Sequence, residues 1–239
     1  MSWFSRFFSS GRSRSENILG PDLRKRLDAW RQLPPPDLEA CHHNMRYVIV
    51  DVESSGLNMK KDCLISIGAL SLSGGQIDFK DAFQVILRQE QVSTHENILI
   101  HGIGGGAQKE GTDPAEALIA FLEYAGQSPL IAYHAFFDQS MINKAMKKFL
   151  GEVPELPWID LAWVLPDLFH FKTDGRVQLD DWLQYFDIEN ILRHNAVSDA
   201  YATAKLMQIC TTHGTRKGAD SPARFMKIEK ARRWMFESR

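Results

Sequence analysis

Residues 47–57 read YVIVDVESSGL, an apolar run that ends in two acidic residues and a Ser-Ser-Gly turn. The run is rich in β-branched residues and predicts a buried central strand over 46–52. Asp51 and Glu53 lie two residues apart, so in a strand they project from the same face and can share a ligand. Unpaired charges at the end of a buried strand are costly. The pair therefore favours a functional site over a solvated strand edge.

Two later segments place further acidic residues close to strand ends and helix starts. Residues 130–140 read LIAYHAFFDQS, and residues 193–200 read RHNAVSDA. Asp138 falls at the start of a predicted helix, where an N-cap is its alternative role. Asp199 falls within a later helix, and His194 lies in the loop before it. Carboxylate oxygens suit Mg²⁺ or Mn²⁺, and a histidine side chain can take a proton from water near neutral pH. The three segments predict a metal-dependent phosphodiesterase.

The order of the predicted elements gives the fold class. Three strands come first, over 46–52, 64–73 and 76–87, and Gly74-Gly75 joins the last two as a hairpin. Two shorter strands then alternate with helices. Asp113-Pro114 marks one helix start, with Asp at the N-cap and Pro at the first helical position. This order predicts an α/β fold, a mixed five-stranded sheet flanked by helices.

Together the three segments resemble the motifs of the DEDDh subgroup of DnaQ-like 3′→5′ exonucleases, the family of the proofreading epsilon subunit of bacterial DNA polymerase III. The first motif, D-x-E-[TS]-[TS]-G-L, stands here as residues 51–57. The second, [HN]-x-x-F-D, stands as 134–138, and the third, H-x-A-x-x-D-A, as 194–200. His134 stands where many members have Asn. The resemblance covers residues 45–212 and implies a ribonuclease H-like fold.

The resemblance also implies a role for each matching residue. Two Mg²⁺ or Mn²⁺ ions would be held by Asp51, which bridges them, by Glu53 and Asp199 at the first site, and by Asp138 at the second. His194 would deprotonate the attacking water. The expected catalytic residues are His194 and Glu53. Substrate contacts are expected from a further set: Ser54, Ser55, Gly56, Leu57, His101 and Phe137.

The expected activity is hydrolysis of phosphodiester bonds at the 3′ end of single-stranded DNA, with release of nucleoside 5′-monophosphates. An RNA-directed 3′→5′ exoribonuclease or oligoribonuclease is the alternative within the same chemistry, because contacts around the 2′ position cannot be inferred from spacing. A non-catalytic, polymerase-associated subunit that binds nucleic acid is the alternative from another class. The complete set of carboxylates and His194 weighs against that alternative.

Charge is distributed unevenly along the 239 residues, whose net charge is −2. Residues 1–33 contain seven Lys/Arg and three Asp/Glu, and residues 216–239 contain eight and three, which leaves −11 for the part between them. The expected division is an N-terminal basic segment with an amphipathic helix (1–43), a DEDDh exonuclease domain (44–213) and a basic C-terminal tail (214–239). The basic ends either contact a phosphate backbone or are solvated.

Leu23, Leu27 and Trp30 give the predicted N-terminal helix an apolar stripe. This stripe either packs on the main domain or docks a polymerase or other protein. Cys41, Cys63 and Cys210 are too few and too far apart for a disulfide framework or a zinc site, which favours a cytoplasmic location. Since no apolar run approaches the roughly 18 residues of a membrane span, no membrane span is expected.

Two weaker motifs are assigned ordinary structural roles. Gly102, Gly104 and Ala107 match the dinucleotide-binding pattern G-x-G-x-x-A. That pattern requires a helix that opens directly from the glycines, whereas the helix signal begins only at Asp113, so a loop near the substrate is predicted instead. His42-His43 has no further ligand at a suitable spacing, and an exposed pair is predicted.

Overall fold

The computed structural model of the protein describes residues 19–170, 177–189 and 194–238. The sheet has five strands: β1 Arg46–Ser54, β2 Leu64–Ser73, β3 Gln76–Ile86, β4 Leu130–Ala132 and β5 Trp158–Asp160. Their order across the sheet is β3-β2-β1-β4-β5. β1 pairs antiparallel with β2, β2 pairs antiparallel with β3, and β4 and β5 run parallel to β1. The predicted mixed five-stranded sheet is confirmed.

Nine helices are present in the described ranges, and a short 3₁₀ turn, His42–Asn44, precedes β1. Several begin at the residue that their sequence signals indicate. The carboxylate of Asp113 accepts hydrogen bonds from the Ala115 and Glu116 amides (3.0 and 3.4 Å), which confirms the predicted start of α4. The helices are α1 Pro21–Arg31, α2 His95–His101, α3 Gly105–Glu110, α4 Pro114–Ala125, α5 Phe136–Phe149, α6 Leu161–Leu168, α7 Leu179–Tyr185, α8 Ala196–Arg216 and α9 Pro222–Glu237.

Helices cover both faces of the sheet and enclose two hydrophobic cores. Successive side chains of a strand point to opposite faces, and in β1 they are buried on both. Val48 and Val50 enter the core that includes α1, α4 and α5. Tyr47 and Ile49 enter the core that includes α6, α7, α8 and α9. This burial explains why β1 is a nearly continuous apolar run.

Helix α1 packs on α4 through the apolar stripe seen in the sequence. Leu27 is fully buried, Trp30 is 5% exposed, and the indole Nε1 of Trp30 donates to the carbonyl of Gly126 at 2.8 Å. Arg26 bridges Glu116 and Glu123 of α4 at 2.5 and 2.6 Å. The stripe is therefore used within the chain.

Three features differ from the expectations. A helix, α9, lies where a basic tail was predicted, and its Phe225 is fully buried. Part of the glycine-rich segment predicted as a loop is helical, since α3 begins at Gly105. His42 is buried rather than exposed, because its ring nitrogens bond to the Tyr47 hydroxyl (2.5 Å) and the Ala219 carbonyl (3.0 Å). The three-part division of the chain stays a prediction.

Among the described helices, none combines the length and apolar character needed to cross a membrane.

Candidate metal centre and active site

Three carboxylates meet at the carboxyl end of β1. Asp51 and Glu53 project from the same face of this strand, and Asp199 lies in the first turn of α8. One carboxylate oxygen from each residue lies within 4.8 Å of those of the other two. Asp199 is 5% exposed, and the other two are half-buried. Like charges held this close repel one another, so the arrangement suits a bound cation.

A glycine opposite Asp51 allows α8 to approach the sheet. Gly68 of β2 is the register partner of Asp51. A Cβ atom at Gly68 would lie 2.4 Å from the carbonyl carbon of Ala196 and 2.5 Å from the amide nitrogen of Val197. These are backbone atoms of the first turn of α8, which cannot move aside as a flexible side chain can. Because Gly68 has no side chain, the first turn of α8 can approach the sheet closely enough to place Asp199 near Asp51.

His194 is connected to this cluster through its backbone. Its amide donates to Oδ2 of Asp199 at 2.9 Å, and its side chain is exposed. The backbone is left-handed at this residue, with φ 59°. Asn195 then caps α8 by accepting a hydrogen bond from the Ser198 amide at 3.1 Å. The imidazole is thus carried on a turn that is bonded to the Asp199 carboxylate.

Asp138 approaches the centre from the parallel side of the sheet. It lies in the first turn of α5, is 6% exposed, and accepts a hydrogen bond from the Val52 amide at 3.2 Å. Burial raises the pKa of Asp138 well above its usual range, and the negative charges of Asp160 and Glu53 raise it further. The described three-carboxylate cluster does not include Asp138. Its position at a second metal stays a prediction.

The turn after β1 is held by its neighbours. Ser55 Oγ donates to Asp62 (3.0 Å) and accepts from the Cys63 amide (2.9 Å), and the Ser55 carbonyl accepts from the side chain of Asn97 in α2. Lys144 of α5 donates to three carbonyls of the same loop, those of Met59, Lys60 and Asp62.

The turn also leaves one apolar side chain exposed to solvent. The hydroxyl of Ser54 donates to the carbonyl of Gly56 at 2.7 Å. A Cβ atom at Gly56 would lie 2.6 Å from Oδ2 of Asp62, so the tight turn requires glycine. Leu57 is 88% exposed. The four expected substrate-binding residues, 54–57, therefore form a braced turn beside the carboxylates, with Leu57 facing solvent.

Two other expected substrate residues have structural contacts. His101 is buried, accepts a hydrogen bond from the Ile103 amide (3.0 Å) and contacts Ser93 (3.3 Å), so its ring supports the end of α2. Phe137 is half-buried and packs on the core. The exposed aromatic residue at the start of α5 is instead Phe136, at 61%. The motif pattern leaves this position open, so Phe136 could not be identified from the sequence.

The donor set fits a divalent cation. Asp51, Glu53 and Asp199 offer hard oxygen ligands of the type that Mg²⁺ and Mn²⁺ prefer. The group contains neither cysteine nor histidine, the ligands that zinc sites usually use. The buried Asp138 adds a further carboxylate whose charged form a nearby cation would stabilise.

Comparison with known proteins agrees with this geometry. A family model described as Exonuclease (RNase_T) matches residues 48–207. The DNA polymerase III PolC-type of Bacillus subtilis is 30% identical over 174 residues, which are 72% of this chain and 12% of that protein. That of Listeria monocytogenes is 31% identical over 162 residues, which are 67% of this chain and 11% of that protein. The chain therefore spans about an eighth of the length of these curated relatives.

Solved structures share the fold at low identity. E. coli Exonuclease I, in complex with a dT13 oligonucleotide, aligns with a TM-score of 0.60 at 17% identity, over 72% of this chain and 42% of that one. Exonuclease X, in complex with 5′ overhanging duplex DNA, aligns with a TM-score of 0.58 at 17% identity, over 77% of this chain and 99% of that one. The expected ribonuclease H-like fold is confirmed. Because the family model covers most of the chain and includes all five motif positions, this protein belongs to the exonuclease family.

Proposed function

We propose that this chain is a divalent-metal-dependent 3′→5′ exonuclease that hydrolyses the 3′ end of single-stranded DNA and releases nucleoside 5′-monophosphates. One observation carries the proposal. In a member of the exonuclease family, Asp51, Glu53 and Asp199 converge within 4.8 Å, and the amide of His194 is bonded to Asp199. The polymerase relatives and the DNA complexes of the structural neighbours support DNA as the substrate.

The residues have distinct roles in this reaction. Asp51, Glu53, Asp199 and Asp138 would hold two ions, Mg²⁺ or Mn²⁺, which would supply Lewis-acid stabilisation of the charge that develops on the phosphate. His194 takes the proton of the attacking water: its side chain is exposed, and its backbone amide is bonded to Asp199, one of the three clustered carboxylates. Glu53 orients that water from the strand side.

The terminal nucleotide is held by the turn at 54–57 and by apolar residues around it. Leu57 is 88% exposed, and Phe136, in the first turn of α5, is 61% exposed. Exposed apolar side chains of this kind are suited to contact the faces of unpaired bases. A turn that closes against the last base favours attack from a chain end over attack inside a strand.

A polymerase is proposed as a protein partner because the curated relatives are polymerases. The apolar stripe of α1 does not provide the docking surface, since Leu27 and Trp30 are buried against the main domain. The free cysteines, two exposed and one buried, suit a reducing compartment, which supports a cytoplasmic location.

The experiment uses 5′-labelled DNA and RNA oligonucleotides of one sequence and a circular single-stranded DNA, each with Mg²⁺ or Mn²⁺. We expect the linear DNA to shorten one nucleotide at a time from its 3′ end and the circle to stay intact. Asp51→Asn should abolish hydrolysis, whereas Glu155→Gln, an exposed carboxylate elsewhere, should not.

Three other outcomes of this experiment would each indicate a different activity. Degradation of the RNA alone would identify an exoribonuclease. Nicking of the circle would exclude a strictly exonucleolytic reaction. Binding of DNA without hydrolysis by the unmodified chain would identify a non-catalytic subunit.

A further inference from the structure

The carboxylate of Asp160 connects the C-terminal helix to the active site. Asp160 ends β5, caps α6, and is 2% exposed. Its Oδ1 accepts hydrogen bonds from the amides of Ala162 (3.0 Å) and His134 (2.9 Å). Its Oδ2 accepts from the guanidinium of Arg233 in α9 at 2.8 Å. One buried side chain thus contacts three elements.

Helix α9 holds Asp160 from two directions. The amide of Asp160 donates to Oε2 of Glu229 at 2.9 Å, and Oε1 of Glu229 accepts from Nε of Arg233, also at 2.9 Å. Arg233 therefore binds both carboxylates, and its guanidinium also lies 5.1 Å from the ring centre of Trp163. A planar guanidinium is suited to hold two carboxylates in a fixed arrangement, which a lysine cannot do equally well.

The other end of this network is the second motif. His134 follows β4 and has a left-handed backbone, with φ 60°. Its amide is fixed by Asp160, and its carbonyl accepts from the Phe137 amide at 3.2 Å. This turn sets where α5 begins, and α5 carries Asp138 in its first turn.

We propose that Arg233, oriented by Glu229, is a positioning residue of the active site, which acts through Asp160 on the turn at His134 and thereby on Asp138. The inference rests on the proposed function and extends it to a helix that lies beyond residues 48–207, the segment matched by the family model. A buried carboxylate that loses its cationic partner rearranges or neutralises. Without Arg233, Asp160 would no longer hold the His134 amide in place.

The test compares four variants of the full chain. Arg233→Met removes the guanidinium. Arg233→Lys keeps the positive charge but lacks the planar group that can bind two carboxylates. Glu229→Gln keeps an oxygen for the Asp160 amide but loses the charge that orients Arg233. Lys227→Met is the matched control, since it removes one positive charge from an exposed position of the same helix. The readouts are the Mn²⁺ dissociation constant, from electron paramagnetic resonance of free Mn²⁺, and kcat and KM on the DNA oligonucleotide, per folded molecule.

We expect Arg233→Met to weaken Mn²⁺ binding and lower kcat by about tenfold or more, as loss of a ligand-supporting contact does. KM for DNA should change little, Arg233→Lys should recover part of the loss, and Lys227→Met should match the unmodified chain. A folded Arg233→Met protein with Mn²⁺ affinity and kcat within twofold of the unmodified chain would overturn the inference. If Arg233→Met does not fold, Glu229→Gln decides by the same criteria.

Mn²⁺ binding can be measured without nucleic acid. The proposed function and the role of Arg233 can therefore be tested independently. A chain that hydrolyses no DNA but loses Mn²⁺ affinity on Arg233→Met would contradict the proposed function and retain the role of Arg233.

Discussion

Both histidines at the centre occupy a left-handed backbone conformation. The φ angles are 60° at His134 and 59° at His194. This region is unfavourable for most side chains, but Asn, Asp and His enter it several times more often than other residues. The left-handed backbone at His134 gives a physical reason why many members of the family have Asn at this position and why His is tolerated there. The backbone shape, rather than the imidazole, constrains that position.

The first prediction concerns His194. In the proposed reaction the exposed imidazole of His194 takes a proton from water, so His194→Ala should lower kcat by about 10²- to 10⁴-fold. Mn²⁺ affinity should stay within a few-fold, because the alanine variant keeps the backbone amide that donates to Asp199. The measurements are single-turnover hydrolysis and Mn²⁺ titration. Loss of metal binding, with activity restored by excess Mn²⁺, would instead identify His194 as a ligand.

A second prediction separates the two adjacent phenylalanines of the second motif. Phe136 is 61% exposed, whereas Phe137 packs on the core. Stacking of a base on an aromatic ring contributes about 1–3 kcal/mol, so Phe136→Ala should raise KM for single-stranded DNA by about tenfold with little loss of stability. Phe137→Ala should lower the free energy of unfolding by up to about 3 kcal/mol. Steady-state kinetics and urea unfolding test the pair, and equal KM values in the two variants would contradict it.

At the scale of elements, the crossing of α8 over β2 brings the third motif to the first. The crossing depends on Gly68, where a Cβ atom would meet the backbone of α8 at 2.4 Å. No ligand comes from β2, yet its register places Gly68 beside Asp51. The position of Asp199 is therefore set by a strand that contributes no chemical group to the centre.

The third prediction follows from this crossing. Gly68→Ala should push the first turn of α8 away from the sheet, which costs about 1–3 kcal/mol of stability and weakens Mn²⁺ binding. Gly106→Ala is the control, because a Cβ there would meet nothing within 4 Å and alanine favours a helix. Thermal unfolding and Mn²⁺ titration distinguish the two. Unchanged Mn²⁺ affinity in Gly68→Ala would show that the helix adapts without moving Asp199.

The sequence predicted those elements whose signals are local. β1, the Gly74-Gly75 hairpin and the Asp113 cap each depend on residues a few positions apart, and all three were found. The five motif positions followed from their order and context, and three of the carboxylates converge. Contacts between distant residues could not be predicted. Arg233 and Asp160 are 73 positions apart. The basic side chains of α9 are typical of a solvated tail, whereas the buried Phe225 shows that the helix packs on the core.

At the scale of the whole molecule, the clustered carboxylates link stability to metal. Their mutual repulsion destabilises the metal-free fold, and a cation that binds only the folded chain stabilises it. The fourth prediction is that Mn²⁺ at about 100 times its dissociation constant raises the free energy of unfolding by about 2.7 kcal/mol.

In the same assay, Asp51→Asn should be more stable than the unmodified chain without metal and should respond less to Mn²⁺. Glu155→Gln should behave as the unmodified chain does. Differential scanning calorimetry over a Mn²⁺ series provides the measurement. A response that Asp51→Asn leaves unchanged would place the binding site elsewhere.

The fifth prediction concerns pH. Burial lowers the pKa of His42, so the unfolded chain takes up a proton near pH 6.5 that the folded chain does not. Stability is therefore fully present above about pH 6.5 and falls as the pH drops towards the folded pKa, by at most about 1.4 kcal/mol per pH unit. His42→Gln should flatten this slope, whereas His43→Gln, at an exposed position, should not. Urea unfolding from pH 8 to 5 tests this, and parallel curves for all three proteins would contradict it.

The alternating burial of β1 also has a consequence for cooperativity. Asp138 is carried by a helix of one core and Asp199 by a helix of the other, while β1, with Asp51 and Glu53, is shared. A fluctuation that opened either core would release one of these aspartates and loosen the shared strand at the same time. We therefore expect no partly folded species to retain hydrolysis. A nascent chain would stay inert until residue 199 had emerged and both cores had closed.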